Sequence, residues 1–492
     1  MSFAPDVKRL VDLVQRGPTD DFFFPASSNE TVFSRRWTPY HNVTPDITEI
    51  SYKGAIEWGG RITVPLTRDE AGDLVQWICL RLQPRSWMPA DMEANLKSGF
   101  WDYADLSGAW MWAASLGSIA IQEVQLEIND TIVETWPGEW MDVWSRTWMD
   151  GGRAAVWDSD IYGQLPSTVI HDSGRPAWTT LQPTEDGYVY CWLPLAFMRR
   201  PQTAFPLVSL GDLQEMRLHI TLRPFKDVVR MRSQPRTTPS ETPLGKTVTL
   251  LDKTGVTPIP WNVKLASVVP GFDDATVFAG VVHTENPMRS AYLRNPFEML
   301  YEKVTHMEFD IPLLQSGPPG STHQMLLPLK EFNGPIREIC FFLRRKAAWR
   351  FNEWTNYGSL MEDALVINNG LQRPLLTKAS LQIGNATWLS DSEEWWRVEY
   401  GLAHRGGVRL TDGMVYGYCF GAGARWSVED NQPAGTVNAS RADMRLDLTI
   451  TVPNTEAPGC NEDGREWTVH VFAVGLNWMR FQDGQAVPLF RD

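Results

Sequence analysis

Apolar and polar residues alternate along most of this chain. In "EMRLHITLRPF" (215–225), Met216, Leu218, Ile220 and Leu222 alternate with Arg217, His219, Thr221 and Arg223. That is the period of an antiparallel strand with one face on a core. Runs at 54–66, 118–130 and 187–195 in the first half read the same way, as do 302–313, 334–345, 413–422, 443–453 and 467–481 in the second. Each is rich in β-formers and bounded by Gly, Pro, Asn or Asp. Helical spacing is rare. Val7, Leu10, Val11 and Val14 carry it over residues 5–16, and Gly17-Pro18 ends it. So short an amphipathic helix cannot bury its face alone, which makes these four residues candidates for contact with the protein's own body or with a neighbour.

Two strand runs resemble each other. "EMRLHITLRP" (215–224) and "DMRLDLTITVP" (443–453) lie about half a chain apart, which predicts two similar β-sandwiches in tandem. Between them, 236–261 is rich in Pro and Thr and reads as a long loop. Sandwiches of roughly 200 residues with long loops fit the jelly-roll class better than an immunoglobulin-like module. The expected architecture is all-β: an N-terminal helix and arm (1–50), a first eight-stranded jelly roll (51–278, with a long loop at 226–262) and a second (279–492), with short helices in loops.

Composition narrows the class. A chain of 492 residues exceeds one ordinary core. No stretch approaches the ~20 apolar residues of a membrane-spanning helix, and charges interrupt the first apolar positions, unlike a signal peptide. A net charge of −14 lacks the basic footprint of a nucleic-acid wrapper, so no direct nucleic-acid contact is expected. The five cysteines (Cys79, Cys191, Cys340, Cys419, Cys460) are far apart and match no zinc spacing. They read as reduced residues packed in strands.

Catalytic motifs are missing. "PLGKT" (243–247) has Ser240 where a phosphate loop needs its first glycine, and "GAG" (421–423) lacks the third glycine of a dinucleotide fingerprint. Neither G-x-S-x-G nor H-E-x-x-H occurs, and the eight histidines are scattered singly. No cofactor, metal or catalytic residue is therefore assigned. The best enzymatic candidate is "ETWPGEWMDVWSRTW" (134–148), where Trp136, Trp140, Trp144 and Trp148 recur every fourth residue beside Glu134, Glu139 and Asp142. A sugar-binding or glycoside-hydrolysing sandwich would use such a platform. With Pro137 in the first turn of a helix, the four tryptophans form one stripe. Glu139 and Asp142 then share a flank and do not bracket a glycosidic bond from opposite sides. Packing accounts for the stripe better. Five N-x-S/T triplets, at Asn29, Asn42, Asn129, Asn385 and Asn438, are formal glycosylation acceptors.

Several segments, in order, resemble one family. "LVQRGPTDDFFF" (13–24) with "ETVFSRRWTPYHN" (30–42), "RITVPLTRDEAGDLVQWICLRLQP" (61–84), "VQLEINDTIVETWPGEWMDVW" (124–144), "LPLAFMRRPQTAFPLVSLGDLQEMRLHITLRP" (193–224), "FNGPIREICFFLRR" (332–345), "AGTVNASRADMRLDL" (434–448) and "VHVFAVGLNWMRFQDGQAVPLF" (469–490) are similar to the major capsid proteins of the nucleocytoplasmic large DNA viruses. Ala439 stands where the family has an aromatic residue, and 226–300 diverges. The resemblance implies a double jelly roll and a homotrimeric, pseudo-hexagonal capsomer. Such capsomers would tile the outer icosahedral shell of a virion assembled in the host cytoplasm, with neighbouring capsomers and minor capsid proteins under the shell as partners. On this reading Asn438, Ser440 and Arg441 form a turn that fixes strand register, with Arg441 pairing inside the sandwich. The Trp stripe packs against the barrel or a neighbouring subunit.

Overall fold

A computed structural model describes residues 41–85, 110–113, 115–148, 188–198, 203–211, 214–231, 250–251, 258–259, 271–311, 320–346, 352–359, 374–403, 414–421, 435–441, 443–451 and 466–489, with 17, 18, 22 and 348 as isolated positions. The N-terminal helix with Val7, Leu10, Val11 and Val14, the triplet at Asn29, and Cys460 lie outside these residues. Residues 43–492 form one compact unit, and 1–42 form another.

The first half contributes β1 (Val43–Ile50), β2 (Arg61–Leu66), β3 (Leu74–Pro84), β4 (Ile121–Ile128), β5 (Thr131–Pro137), β6 (Val189–Trp192), β7 (Met216–Leu222) and β8 (Phe272–Thr284). They form two antiparallel sheets in the orders β1-β8-β3-β6 and β2-β7-β4-β5. The second half contributes β9 (Phe297–Ile311), β10 (Thr322–Pro328), β11 (Pro335–Arg345), β12 (Leu376–Ile383), β13 (Ala386–Ser392), β14 (Val415–Cys419), β15 (Met444–Thr451) and β16 (Trp467–Gln482). Their orders are β9-β16-β11-β14 and β10-β15-β12-β13. Adding eight to every strand number of the first pair of sheets gives the second. This is the jelly-roll order, twice. The similar runs at 215–224 and 443–453 become β7 and β15, the same position in each sandwich.

Local chemistry explains the strands. In β7 the apolar residues Met216, Leu218, Ile220 and Leu222 are buried, while the polar ones between them are half-buried. Asn129 and Asp130 turn the β4–β5 hairpin with positive φ of 52° and 62°, a conformation that short polar side chains tolerate. Two boundaries differ from the sequence reading. Residues 43–50 pair in full with 277–284, so that segment belongs to the first sandwich rather than to the arm, and the first sandwich runs past residue 278 to Thr284. Hydrogen bonding sets both limits, and neither change alters the residue pattern.

Among the described residues three helices exceed two turns: α1 (Glu139–Trp148), α2 (Asn286–Arg294) between the sandwiches in sequence, and α3 (Glu393–Ala403). Helices α1 and α3 each follow the corresponding strand, β5 and β13, so the duplication extends to them. The sequence reading missed α3. The start of α1 also differs from the expected one, with Pro137 in its first turn: Pro137 is the last residue of β5, paired with Glu123, and α1 begins two residues later. Gly138 donates to the Gln122 carbonyl, and a Cβ there would sit 2.0 Å from the Ile121 carbonyl oxygen. Only glycine allows the strand to turn into the helix at that separation. Trp136 therefore sits on a strand, and the stripe is shared between two elements.

Candidate functional site: the seam between the two sandwiches

Helix α1 lies in a seam between the two jelly rolls of one chain. Trp136, Trp140 and Trp144 are buried and Trp148 is half-buried. Trp140 packs on Phe472 of β16 with centroids 5.3 Å apart, and the Arg337 guanidinium of β11 lies 4.8 Å over the Trp148 ring. The stripe thus covers the protein's own second sandwich.

All three carboxylates of the stretch are engaged. Glu134 accepts from the backbone N–H of Ala196 at 3.0 Å and of Val304, on β9, at 3.1 Å. Glu139 places one oxygen 2.9 Å from Arg223, which follows β7, and the other 3.1 Å from Arg344 of β11. Asp142 pairs with Arg146 at 2.8 Å and accepts from the Tyr357 hydroxyl at 2.5 Å. Each is buried. Buried carboxylates held by ion pairs and hydrogen bonds beneath a packed tryptophan face cannot reach a sugar, so the carbohydrate alternative fails on this geometry.

Further contacts cross the same seam. Residues 352–359, after β11, dock on the turn after β7: Asn352 donates to the Lys226 carbonyl and Trp354 Nε1 to the Asp227 carbonyl, both at 2.7 Å. The Trp354 ring receives the Arg223 guanidinium at 3.9 Å and that of Arg344 at 5.0 Å. Such cation–π contacts add to the ion pairs where water is excluded. Burial pushes the Glu139 carboxyl upward, yet Arg223 and Arg344 together outweigh it and hold the group well below the usual carboxylate range.

Two histidines, read from sequence as isolated, meet here. His306 of β9 and His470 of β16 stack with centroids 5.3 Å apart, and their Nε2 and Nδ1 atoms are 3.1 Å apart. His470 Nε2 lies 3.2 Å from Arg344 Nη2. Burial lowers His306 to about 4, and burial with the Arg344 charge beside it lowers His470 as well. Sequence reasoning missed Arg223, Arg344, His306, His470 and Trp354. One signal existed: "EICFFLRR" in β11 loses its alternation, as a strand buried on both faces does, and residues 336–345 are all buried.

Helix α3 stays within its own sandwich. Trp396 is buried against Phe341 at 5.7 Å and donates to the Ala379 carbonyl, and Tyr400 donates to Glu338 at 2.6 Å. Elsewhere, Asn438 Oδ1 accepts from the Ser440 N–H at 3.0 Å, and Ser440 Oγ accepts from the Gly334 N–H at 2.7 Å. This turn abuts the pairing of 437–438 with Pro335–Ile336. Arg441 departs from the expectation of pairing inside the sandwich: it is exposed, and the turn takes a backbone bond from it, N–H to the Asn438 carbonyl. Position after a reverse turn, at the surface, aims its side chain at solvent. Asn42, Asn129, Asn385 and Asn438 are all exposed. Cys79, Cys191 and Cys340 are buried free thiols on strands, and Cys419 is half-buried on β14. Among the described residues no helix is long and apolar enough to cross a membrane.

Comparison with known proteins places this architecture. Residues 31–250 match the family described as major capsid protein N-terminus. The major capsid protein of Pyramimonas orientalis virus is 20% identical over 96% of this chain and 97% of its own length. Probable capsid protein 4 of Acanthamoeba polyphaga mimivirus is 22% identical over 45% of this chain, which spans only 39% of that protein. Among solved structures, PBCV-1 VP54, as fitted into a reconstruction of the virophage Sputnik, superposes with a TM-score of 0.64 at 15% identity, covering 94% of this chain and 100% of that one.

Proposed function

The chain belongs to the double jelly-roll major capsid proteins of large DNA viruses, and from that premise we propose that three copies form the pseudo-hexagonal building block of the outer shell. The carrying observation is the repeated strand order on a single chain: two sandwiches of the same topology, fixed to each other by a buried seam. A subunit of that kind presents two similar blocks in one compact unit, and three such subunits supply six blocks to a hexagonal lattice. Its role is structural, without catalysis. The stretch that most resembled a sugar platform is consumed by packing, and its carboxylates by ion pairs and hydrogen bonds.

On this reading the N-terminal segment, with Val7, Leu10, Val11 and Val14, contacts neighbouring capsomers or minor capsid proteins beneath the shell, and assembly takes place in the host cytoplasm. The exposed triplets at Asn42, Asn129, Asn385 and Asn438 are open to modification, while Asn438 also serves its turn. Light scattering tests the trimer: the expected mass is three times 55.8 kDa at micromolar concentration, and a monomer there would overturn it. Deleting residues 1–17 should leave the trimer intact and impair shell assembly. Loss of the trimer in that deletion would remove the role given to the segment.

A further inference from the structure

The His306–His470 pair lies on the seam face of the second sandwich, on β9 and β16, and reaches α1 through Arg344 of β11 and its ion pair with Glu139; its hydrogen bonds have a defined direction. Arg344 can only donate, so His470 Nε2, 3.2 Å from Arg344 Nη2, must accept. The proton of neutral His470 is then on Nδ1, which donates to His306 Nε2 at 3.1 Å. A proton added at His306 Nε2 would face the His470 N–H, and one added at His470 Nε2 would face the Arg344 guanidinium at 3.2 Å, with the Thr468 hydroxyl at 3.3 Å as its neighbouring acceptor. Either way a donor meets a donor.

The charges around the pair are balanced before any proton arrives. Arg344 on β11 and Arg223 after β7 are cationic. Glu139 on α1, bound to both guanidiniums, and Glu308 on β9, 3.9 Å from His470 Nε2, are the acidic groups. Two positive charges face two negative ones, and Glu139 is already committed. Glu308 is half exposed, and burial raises its carboxyl toward the neutral form, so it compensates poorly for a new cation. Tyr357, the titratable group that 352–359 brings near, stacks on Phe342 at 4.0 Å rather than on an imidazole. Phe342 lies 4.7 Å from the His470 ring and Phe472 4.6 Å from that of His306; His470 is buried and His306 half-buried.

We propose that the His306–His470 pair is an acid-operated release between the two sandwiches, in which one added proton converts the Arg344–His470–His306 chain of hydrogen bonds into a donor-to-donor contact and loosens α1 from the second sandwich. A shell subunit built this way holds together at neutral pH and yields at its internal seam on acidification. The device belongs to the single chain and stands whether or not three copies associate.

Hydrogen exchange of the full-length protein at pH 7.5 and pH 5.0, corrected for the intrinsic pH dependence of exchange, tests it. With His306 at about 4 in the closed seam and 6.5 when released, linkage predicts that opening of 139–148 and 352–359 rises roughly 30-fold at pH 5.0 from that imidazole alone. Strand 444–451, in the core of the second sandwich, should stay protected. His306→Gln, which keeps an acceptor and cannot titrate, should remove most of the rise. His219→Gln, at a histidine bound to Thr63 and Glu127 outside the seam, should keep it. Equal corrected exchange of 139–148 at the two pH values overturns the proposal, as does a uniform rise that includes 444–451 or a full response in His306→Gln. If His306→Gln does not fold, the regional comparison in the unaltered protein decides.

Discussion

Replacing Glu139 by Gln removes the carboxylate that touches both Arg223 and Arg344 and leaves two guanidiniums buried together. Removing one partner of a buried ion pair costs about 3–5 kcal/mol, because the remaining charge is not solvated. Two cations are stranded here, but neither loses everything. Arg344 still donates to the Trp354 carbonyl at 3.3 Å and to His470, and Arg223 still lies on the Trp354 ring. The loss expected for the whole site is therefore about 3–5 kcal/mol rather than twice that. Urea unfolding at pH 7.5, monitored by tryptophan fluorescence, reads it directly, since Trp140 sits next to the site. Arg344→Met completes a double-mutant cycle. With Glu139→Gln already present, removing Arg344 relieves a repulsion, so the double variant should be more stable than the sum of the singles by roughly 1–3 kcal/mol. A Glu139→Gln midpoint indistinguishable from the parent, or strict additivity in the cycle, would refute the claim that this ion pair fastens the seam.

Two further outcomes follow from the same geometry. Trp140→Ala empties a fully buried site against Phe472 and should cost about 3–5 kcal/mol in the same unfolding assay; a loss below 1 kcal/mol would mean that α1 is not seated as described. Stability should also fall with acid in two stages. The folded-state value of His306 is lowered from 6.5 to about 4, so the unfolded chain binds more protons between those values, and the contribution present above pH 6.5 is lost by about pH 4, up to ~3 kcal/mol. Glu139 is lowered as well, so its contribution is present above 4.5 and declines only below it. A melting temperature that is flat from pH 7.5 to 4.5 would contradict both the sign and the window of the first stage.

How much of this was legible in the residues depends on how far apart the interacting groups lie. Strands whose two faces differ, such as β7 and β15, announce themselves through alternation, and their likeness gave the tandem arrangement from ten residues. Tertiary hydrogen bonding decided what alternation does not report: that 43–50 joins the sandwich through β8, and that Pro137 ends a strand because Gly138 passes tight against Ile121. A four-residue spacing also matches a helix, so Trp136 looked like part of α1 although it belongs to β5. Helix α3 escaped because the stripe on "EEWWRVEYGLA" is short and acidic at its start, although it occupies the same place after β13 that α1 occupies after β5.

The seam was least legible because its partners are far apart in sequence. Glu139 and Arg344 are 205 residues apart, and His306 and His470 are 164 apart. A local pattern can mark one side of such a contact, as the unbroken burial of β11 does, but cannot name the other. The duplication sharpens the point. Helices α1 and α3 hold equivalent positions, yet α3 turns its buried residues toward Phe341, Ala379 and Glu338 of its own sandwich, while α1 gives Trp140 and Glu139 to the other one. Two sandwiches with similar apolar faces could meet in more than one way through hydrophobic contact alone, because that attraction carries no direction. The ion pairs and the directed Arg344–His470–His306 chain do carry direction. The Glu139 ion pairs are satisfied only when α1 faces β11, while the Arg344–His470–His306 chain fixes Arg344 within the sheet that receives it, so the polar residues select one mutual arrangement while the tryptophans supply the buried area. A structure that relies on directed, charge-balanced contacts at that one surface is also the structure in which a single proton has the most effect.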